Sequence, residues 1–232
     1  MSTPRCWAVV PAAGIGTRMG AHLPKQYLPL QGATVIEHAL RPLLDHPLIV
    51  GVVVAVSADD HMFHRLDVFK HPKLSTVLGG SERGASVLAG LVALAAEAND
   101  DDWVLVHDAA RPCLSRADID DLLTALQRED CGAILAQPVV ETVKLSDGGG
   151  LVAETLNRER IYLAQTPQCF GLRELREGYA LALEEGWCVT DEASVFERLG
   201  KQPRLVAGRR QNIKITHPDD LALASFFLQQ ES

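Results

Sequence analysis

Apolar positions along the chain follow two alternating rhythms. Strand-like stretches lie at 7–10 and 74–78, and apolar runs rich in valine, isoleucine and leucine at 49–57 and 103–107. Runs of this kind mark strands buried on both faces of a parallel sheet. Between them the spacing lengthens to three and four residues at 34–44, 82–98 and 116–128, which predicts helices, the first with Thr34 as N-cap. A helical stretch is also expected over 59–69 and a strand over 133–138. This βαβαβ alternation predicts an α/β layer sandwich with helices on both faces of a mostly parallel sheet.

The rhythm breaks after Pro138. Residues 139–160 alternate apolar and polar around Gly148-Gly149-Gly150, a turn signal between two strand-like arms. A hairpin of that length carries open edges and is marginal alone, so it is expected to pack on a partner, a second subunit being the simplest. Helices follow at 172–185 and 191–199, strands at 204–206 and 213–216, and a closing helix at 219–229 behind His217-Pro218. Without repeats or linkers, the expectation is one domain over 1–232 with an arm inserted at 139–160.

Composition narrows the class. With 47% apolar and 22% charged residues, disorder is not expected, and the apolar runs fall far short of the ~20 residues of a membrane helix. The amino terminus carries no apolar signal region, so the expected location is the cytoplasm. Five scattered cysteines without a CxxC pair argue for reduced thiols and against a zinc cage. The net charge of −8 argues against general nucleic-acid binding. An anionic ligand stays open, because screening over about 8 Å makes local cations matter more than the total.

Candidate chemistry gathers where strands end. The first strand runs into Pro11-Ala12-Ala13-Gly14-Ile15-Gly16-Thr17-Arg18, where small residues let backbone N–H groups approach a phosphate. Met19 breaks the dinucleotide fingerprint, and no Gly-Lys-Ser/Thr follows to make a Walker loop. Arg18 and Lys25 add two cations. A second small-residue loop, Gly79 to Gly84, has Walker spacing with Ala85 in place of lysine. It reads either as the border of a base or ribose pocket, with Gly80, Ser81 and Ser86, or as a plain turn capped by Ser81. Asp108 and Arg111 follow the strand at 103–107; they suit a metal or substrate hydroxyls and a phosphate respectively, or pair with each other. His107 reads as a packing residue. Polar groups recur at Thr142 and Arg158 in the arm, at Thr166, and at Thr190, which also reads as a helix cap. Lys214, inside an apolar run, must find an anion or snorkel.

The opening Pro-Ala-Ala-Gly-x-Gly-x-Arg-Met-Gly with Pro24-Lys25-Gln26-Tyr27 resembles the nucleotidyltransferases that couple sugar or polyol phosphates to nucleotides. Within them the chain resembles the 2-C-methyl-D-erythritol 4-phosphate cytidylyltransferase family of the non-mevalonate isoprenoid pathway. The resemblance extends through Glu82-Arg83 with Ser86-Val87-Leu88-Ala89-Gly90, His107 to Pro112, Thr166-Pro167-Gln168, Thr190 to Ser194 and Asn212 to Thr216. It implies a Rossmann-like three-layer sandwich of the nucleotide-diphospho-sugar transferase type with a protruding β-arm. It further implies that Pro11, Ala12, Ala13, Gly14, Gly16 and Thr17 hold CTP, with Gly80, Ser81 and Ser86 bordering cytosine and ribose. Arg18 and Lys25 would stabilise the transition state. Asp108, Arg111, Thr142, Arg158, Thr166, Thr190 and Lys214 would form the acceptor side, Lys214 also touching the nucleotide, and Thr142 and Arg158 reaching in from the arm of a homodimer partner. Ser81 stands where the family commonly has an acidic residue.

The implied reaction is CMP transfer from CTP to the polyol phosphate with release of pyrophosphate. Its Mg²⁺ would be held mainly by the CTP phosphates, with Asp108 as the candidate protein ligand. The acceptor oxygen is already ionised, so positioning and electrostatics carry the acceleration. Cytidylyl transfer to ribitol 5-phosphate is the nearest alternative, a uridylyl- or guanylyltransferase a more distant one, and a non-catalytic CTP-binding module the alternative of another class.

Overall fold

The computed structural model describes residues 5–14, 23–126 and 131–230. Gly16, Thr17 and Arg18, and the end of the helix expected over 116–128, lie outside the described residues. Seven strands form the central sheet: β1 (Cys6–Pro11), β4 (Ile49–Val56), β5 (Leu74–Leu78), β6 (Trp103–Val106), β7 (Gly132–Pro138), β10 (Tyr162–Gly171) and β11 (Arg204–Ala207). Their order is β11-β7-β10-β6-β1-β4-β5. Every neighbouring pair is parallel except those made by β10, which runs antiparallel to both β6 and β7. The expected mostly parallel sheet is therefore present, with one reversed strand inserted.

Helices cover both faces. Ile36, Leu40 and Leu43 of α1 (Val35–Leu44) and Ile119 and Leu122 of α3 (Arg116–Ala125) fill one apolar layer with Ala8, Val10, Val54 and Leu105. The opposite layer combines Val87 and Leu91 of α2 (Arg83–Leu94), Leu175 and Tyr179 of α4 (Leu172–Glu184), and Val195 and Phe196 of α5 (Glu192–Arg198) with Val9, Val53 and Val106. These sheet residues alternate faces along each strand, as the period of two requires. Gly90 lets α2 sit against β1, since a Cβ there would lie 2.5 Å from Val9 Cγ1. A last helix, α6 (Asp219–Gln230), covers a smaller cluster around Leu30, Cys113 and Ile215.

Local chemistry explains the boundaries. Thr34 caps α1 as expected, accepting from Glu37 N while Glu37 returns a carboxylate to the Thr34 N–H, a reciprocal capping box. Residues 59–69 do not make a helix; they form 3-10 turns at Phe63–Arg65 and Asp67–Lys70, with Asp60 accepting from Met62 and Phe63 N–H. Residues 213–216 are not a strand either. Ile215 N donates to Ala110 O at 2.8 Å, a single tie without a ladder. The sequence pattern misses β10, because Pro167 interrupts it. It also misses the two-residue strands β2 (Pro29–Leu30) and β3 (Ala33–Thr34), which pair beside α1. Beyond β7, strands β8 (Val143–Ser146) and β9 (Val152–Leu156) pair only with each other as a separate antiparallel hairpin. Its Leu145, Leu151 and Val152 are exposed.

Candidate active site

The carboxyl ends of β1, β5 and β6 open onto a cavity of about 340 Å³. Pro11 to Gly14 form one wall and Gly80 to Arg83 with Ser86 the other; Lys25, Asp108 and Lys214 line it as well. Two small-residue loops are thus brought face to face. The approach demands glycine at 79, where a Cβ would lie 2.6 Å from Ala13 Cβ. Gln26, buried beneath the first loop, donates to Ala12 O at 2.9 Å and Gly14 O at 3.2 Å. By holding these carbonyls on the inner side, it fixes the loop's backbone orientation. Lys25 Nζ donates to Ile215 O at 2.9 Å, so the cation is anchored at the cavity wall. Ser86 is buried, and its hydroxyl is engaged by the loop itself: it accepts from Gly80 N at 3.1 Å and lies 3.1 Å from Glu82 O. Ser81 is exposed and does not cap α2, whose N-cap is Glu82 without a side-chain bond.

A second cavity of about 250 Å³ adjoins the first, lined by Arg111, Thr166, Gln168, Thr190 and Asp191. Arg83, Asp108 and Lys214 line both cavities and so form their common wall. Asp108, 7% exposed, receives Arg83 Nε at 3.1 Å, Lys214 Nζ at 2.8 Å and Arg111 Nε at 3.6 Å. Burial pushes its carboxyl up, but Arg83, then Lys214 and Arg111, more than offset this and hold it well below the usual carboxylate range. The pairing of Asp108 with Arg111 is therefore real, but it is the longest of three. Lys214 has found its anion.

Behind this wall the polar groups form a closed chain. Thr166 Oγ1 accepts from Asp108 N at 3.0 Å and lies 3.0 Å from His107 Nδ1. His107 Nε2 lies 3.2 Å from the carbonyl of Arg111, which can only accept. His107 is fully buried, and burial lowers its pKa to about 4 despite the opposing pull of Asp108. The ring is accordingly neutral with its proton on Nε2, and the threonine O–H donates to Nδ1. His107 does pack in the core, yet it also orients Thr166. Arg111 is anchored by its guanidinium to Asn212 O at 2.8 Å and Ala164 O at 3.3 Å. Thr190 lines the second cavity but is not the cap of α5. That role belongs to Asp191, in a capping box with Ser194.

Thr142 and Arg158 are elsewhere. Both are exposed at the base of the hairpin, Arg158 donating to Val140 O, and neither lines either of these two cavities. A divalent ion does not fit at Asp108, whose two oxygens are already engaged by cations; there it would have to displace Arg83 or Lys214. No cluster of three or more His, Cys, Asp or Glu side chains suited to a metal occurs among the described residues. Two residues of the site were not singled out from the sequence. Gln26 carries the signal of an amide between Lys25 and Tyr27, and Arg83 that of a cation opening a helix beside a small-residue loop.

A small-residue loop at the first strand end, facing a second loop and flanked by cations gathered around a buried carboxylate, defines an α/β nucleotidyltransferase. The chain belongs to the 2-C-methyl-D-erythritol 4-phosphate cytidylyltransferase (IspD) family, whose model matches residues 6–230. It is 53% identical over 223 residues to the enzyme of that name from Shewanella oneidensis, covering 96% of this chain and 88% of that protein. It is 50% identical to the one from Tolumonas auensis, covering 97% and 96% respectively. The fold matches the crystal structure of the Francisella tularensis protein of that name with TM-score 0.82 and 36% identity, over 96% of this chain and 99% of that one. The Thermus thermophilus structure gives TM-score 0.79 and 33% identity, over 97% and 99%.

Proposed function

We propose that this chain transfers CMP from CTP to 2-C-methyl-D-erythritol 4-phosphate, releasing pyrophosphate. The observation that carries this reading is the common wall of Arg83, Asp108 and Lys214 between two adjoining cavities, one bordered by backbone loops and one by polar side chains. CTP occupies the first, its phosphates along Pro11 to Thr17 and its cytosine and ribose beside Gly80, Ser81 and Ser86. The polyol phosphate occupies the second, among Asp108, Arg111, Thr166 and Thr190. Lys214 serves both ligands.

An oxygen of the acceptor phosphate attacks the α-phosphorus of CTP; that P–O bond forms as the bond to the β-phosphate oxygen breaks, and pyrophosphate departs. The acceptor is ionised at neutral pH, so no residue need remove a proton. Lys25, held by Ile215 O, and Arg18 neutralise charge on the α-phosphate and the leaving group. A Mg²⁺ carried by the triphosphate supplies further charge neutralisation and needs no protein cage.

The arm at 139–160 serves as the homodimer contact of a single-domain enzyme, and Thr142 and Arg158 complete the partner's acceptor site. Support comes from the isolated β8–β9 hairpin and from exposed Val140, Leu145, Leu151, Val152 and Leu163. Five scattered cysteines without a CxxC pair fit a reducing compartment, the cytoplasm. No described helix is long and apolar enough to cross a membrane. Pyrophosphate release with CTP and Mg²⁺ against a panel of polyol phosphates tests the activity. Turnover is expected with methylerythritol phosphate; equal or faster turnover with ribitol 5-phosphate overturns the acceptor, and no release with any acceptor points to a binding module.

A further inference from the structure

We infer that Arg83 is a positioning residue for the acceptor side, and that Glu192 and Tyr179 are the clamp that fixes it. Arg83 opens α2, next to the loop bordering the first cavity, yet its guanidinium points across to α5. Its two terminal nitrogens lie 2.7 and 3.1 Å from the two oxygens of Glu192, a bidentate fork. Glu192 is fully buried, and Tyr179 of α4 donates to the same carboxylate at 2.7 Å. With those nitrogens committed, the remaining Nε is aimed at Asp108 Oδ1 at 3.1 Å. Lys214 takes Oδ2 at 2.8 Å.

The arrangement decides which way the Asp108 carboxylate faces. Asp108 sits at the end of a strand and is free to rotate about its side-chain bonds unless something holds it. Arg83 holds one oxygen from the α2 side, so the carboxylate plane and its free lone pairs are set by a cation that is itself immobile. A lysine at 83 would keep the charge but not the planar fork, which binds two carboxylates at once. A clamp of this sort matters for a hydroxyl-bearing ligand, whose hydrogen bonds need lone pairs in fixed directions, more than for a phosphate, which accepts charge from any side. Glu192 acts only through Arg83 and touches neither cavity. The inference rests on the proposed placement of the acceptor at Asp108.

Steady-state kinetics in both substrates, alongside thermal unfolding, on Arg83→Lys, Glu192→Gln and the double variant provide the test. Arg83→Lys is expected to raise the acceptor KM roughly tenfold while the CTP KM moves less than about threefold, because only acceptor orientation is lost. Glu192→Gln is expected to raise the acceptor KM in the same direction by a smaller factor. The double variant should be no worse than Arg83→Lys alone, since both act on one contact. An unchanged acceptor KM in Arg83→Lys, or a parallel rise of both KM values with a fall in Tm, overturns the inference in favour of a purely structural pin between α2 and α5. Should Glu192→Gln not fold, Arg83→Lys, which keeps a cation beside both carboxylates, decides the matter alone. Failure of the proposed function is separate: the wild type itself would release no pyrophosphate with methylerythritol phosphate. The KM split would then be measured with whichever polyol phosphate the wild type does use.

Discussion

Asp108 and Thr142 belong to the same proposed acceptor site but sit in opposite physical situations. Asp108 lies at the end of a core strand, nearly buried, with both oxygens held by cations. Thr142 lies on an exposed hairpin that pairs only with itself. The first half of the site is therefore preorganised within one chain by low-dielectric electrostatics. On the proposed homodimer, the second half gains its function only by docking. Disturbing the buried half should injure stability and activity together, whereas disturbing the arm should injure activity alone.

The largest effect is expected from Asp108→Asn. It leaves Arg83, Lys214 and Arg111 clustered without their shared anion, at a cost of about 3 kcal/mol or more, as for a broken buried ion pair. Acceptor kcat/KM should fall by roughly a hundredfold through misplaced contacts. Melting and steady-state assays read the two losses side by side.

Next is Arg158→Ala, which removes an exposed side chain and should change stability by less than about 0.5 kcal/mol. Acceptor use should nonetheless drop by roughly tenfold to a hundredfold. Mixing this variant with Lys25→Ala should restore part of the activity, because each mixed dimer keeps one site with intact Lys25 and an intact partner Arg158. No recovery in verified mixed dimers would place Arg158 in its own chain's site.

A smaller effect separates the halves by pH. Between pH 6.5 and about 4, the His107 imidazole is protonated in the unfolded chain and neutral in the folded one. The unfolded state thus binds more protons, and stability falls as pH drops through this window, by up to roughly 3 kcal/mol from this group. Urea unfolding at stepped pH should show a shallower slope for His107→Asn than for the wild type. The smallest effect on the folded chain is expected from Leu151→Ser at the arm's tip, within about 0.5 kcal/mol, since Leu151 is 72% exposed. Sedimentation should still show a weaker dimer if the arm is the contact.

The same contrast governs what could be read from the sequence. Buried strands with continuous apolar runs, such as Ile49–Val56 and Trp103–Val106, were legible because nothing competes with the hydrophobic pattern there. The hairpin was legible from its glycines. β10 was not, since Pro167 lies within it and its pairing with β6 and β7 is fixed by the sheet. Ile213 to Thr216 misleads in the other direction: an apolar run that docks by one backbone bond reads like a strand. In the site, Asp108 and Lys214 stood out as charges at strand ends or in apolar runs. Thr190 looked like a cap, but one residue further on Asp191 takes that place. Gln26, Arg83 and Glu192 stayed hidden because their roles lie in contacts that spacing does not encode; Arg83 and Glu192 are 109 residues apart.

The most direct test follows the α-phosphorus itself. With wild-type protein, CTP, Mg²⁺ and methylerythritol phosphate, phosphorus NMR and mass spectrometry should reveal one cytidine diphosphate ester of the polyol formed per pyrophosphate released. Accumulation of free CMP with pyrophosphate, or a CTP signal unchanged in the presence of the acceptor, would contradict the account.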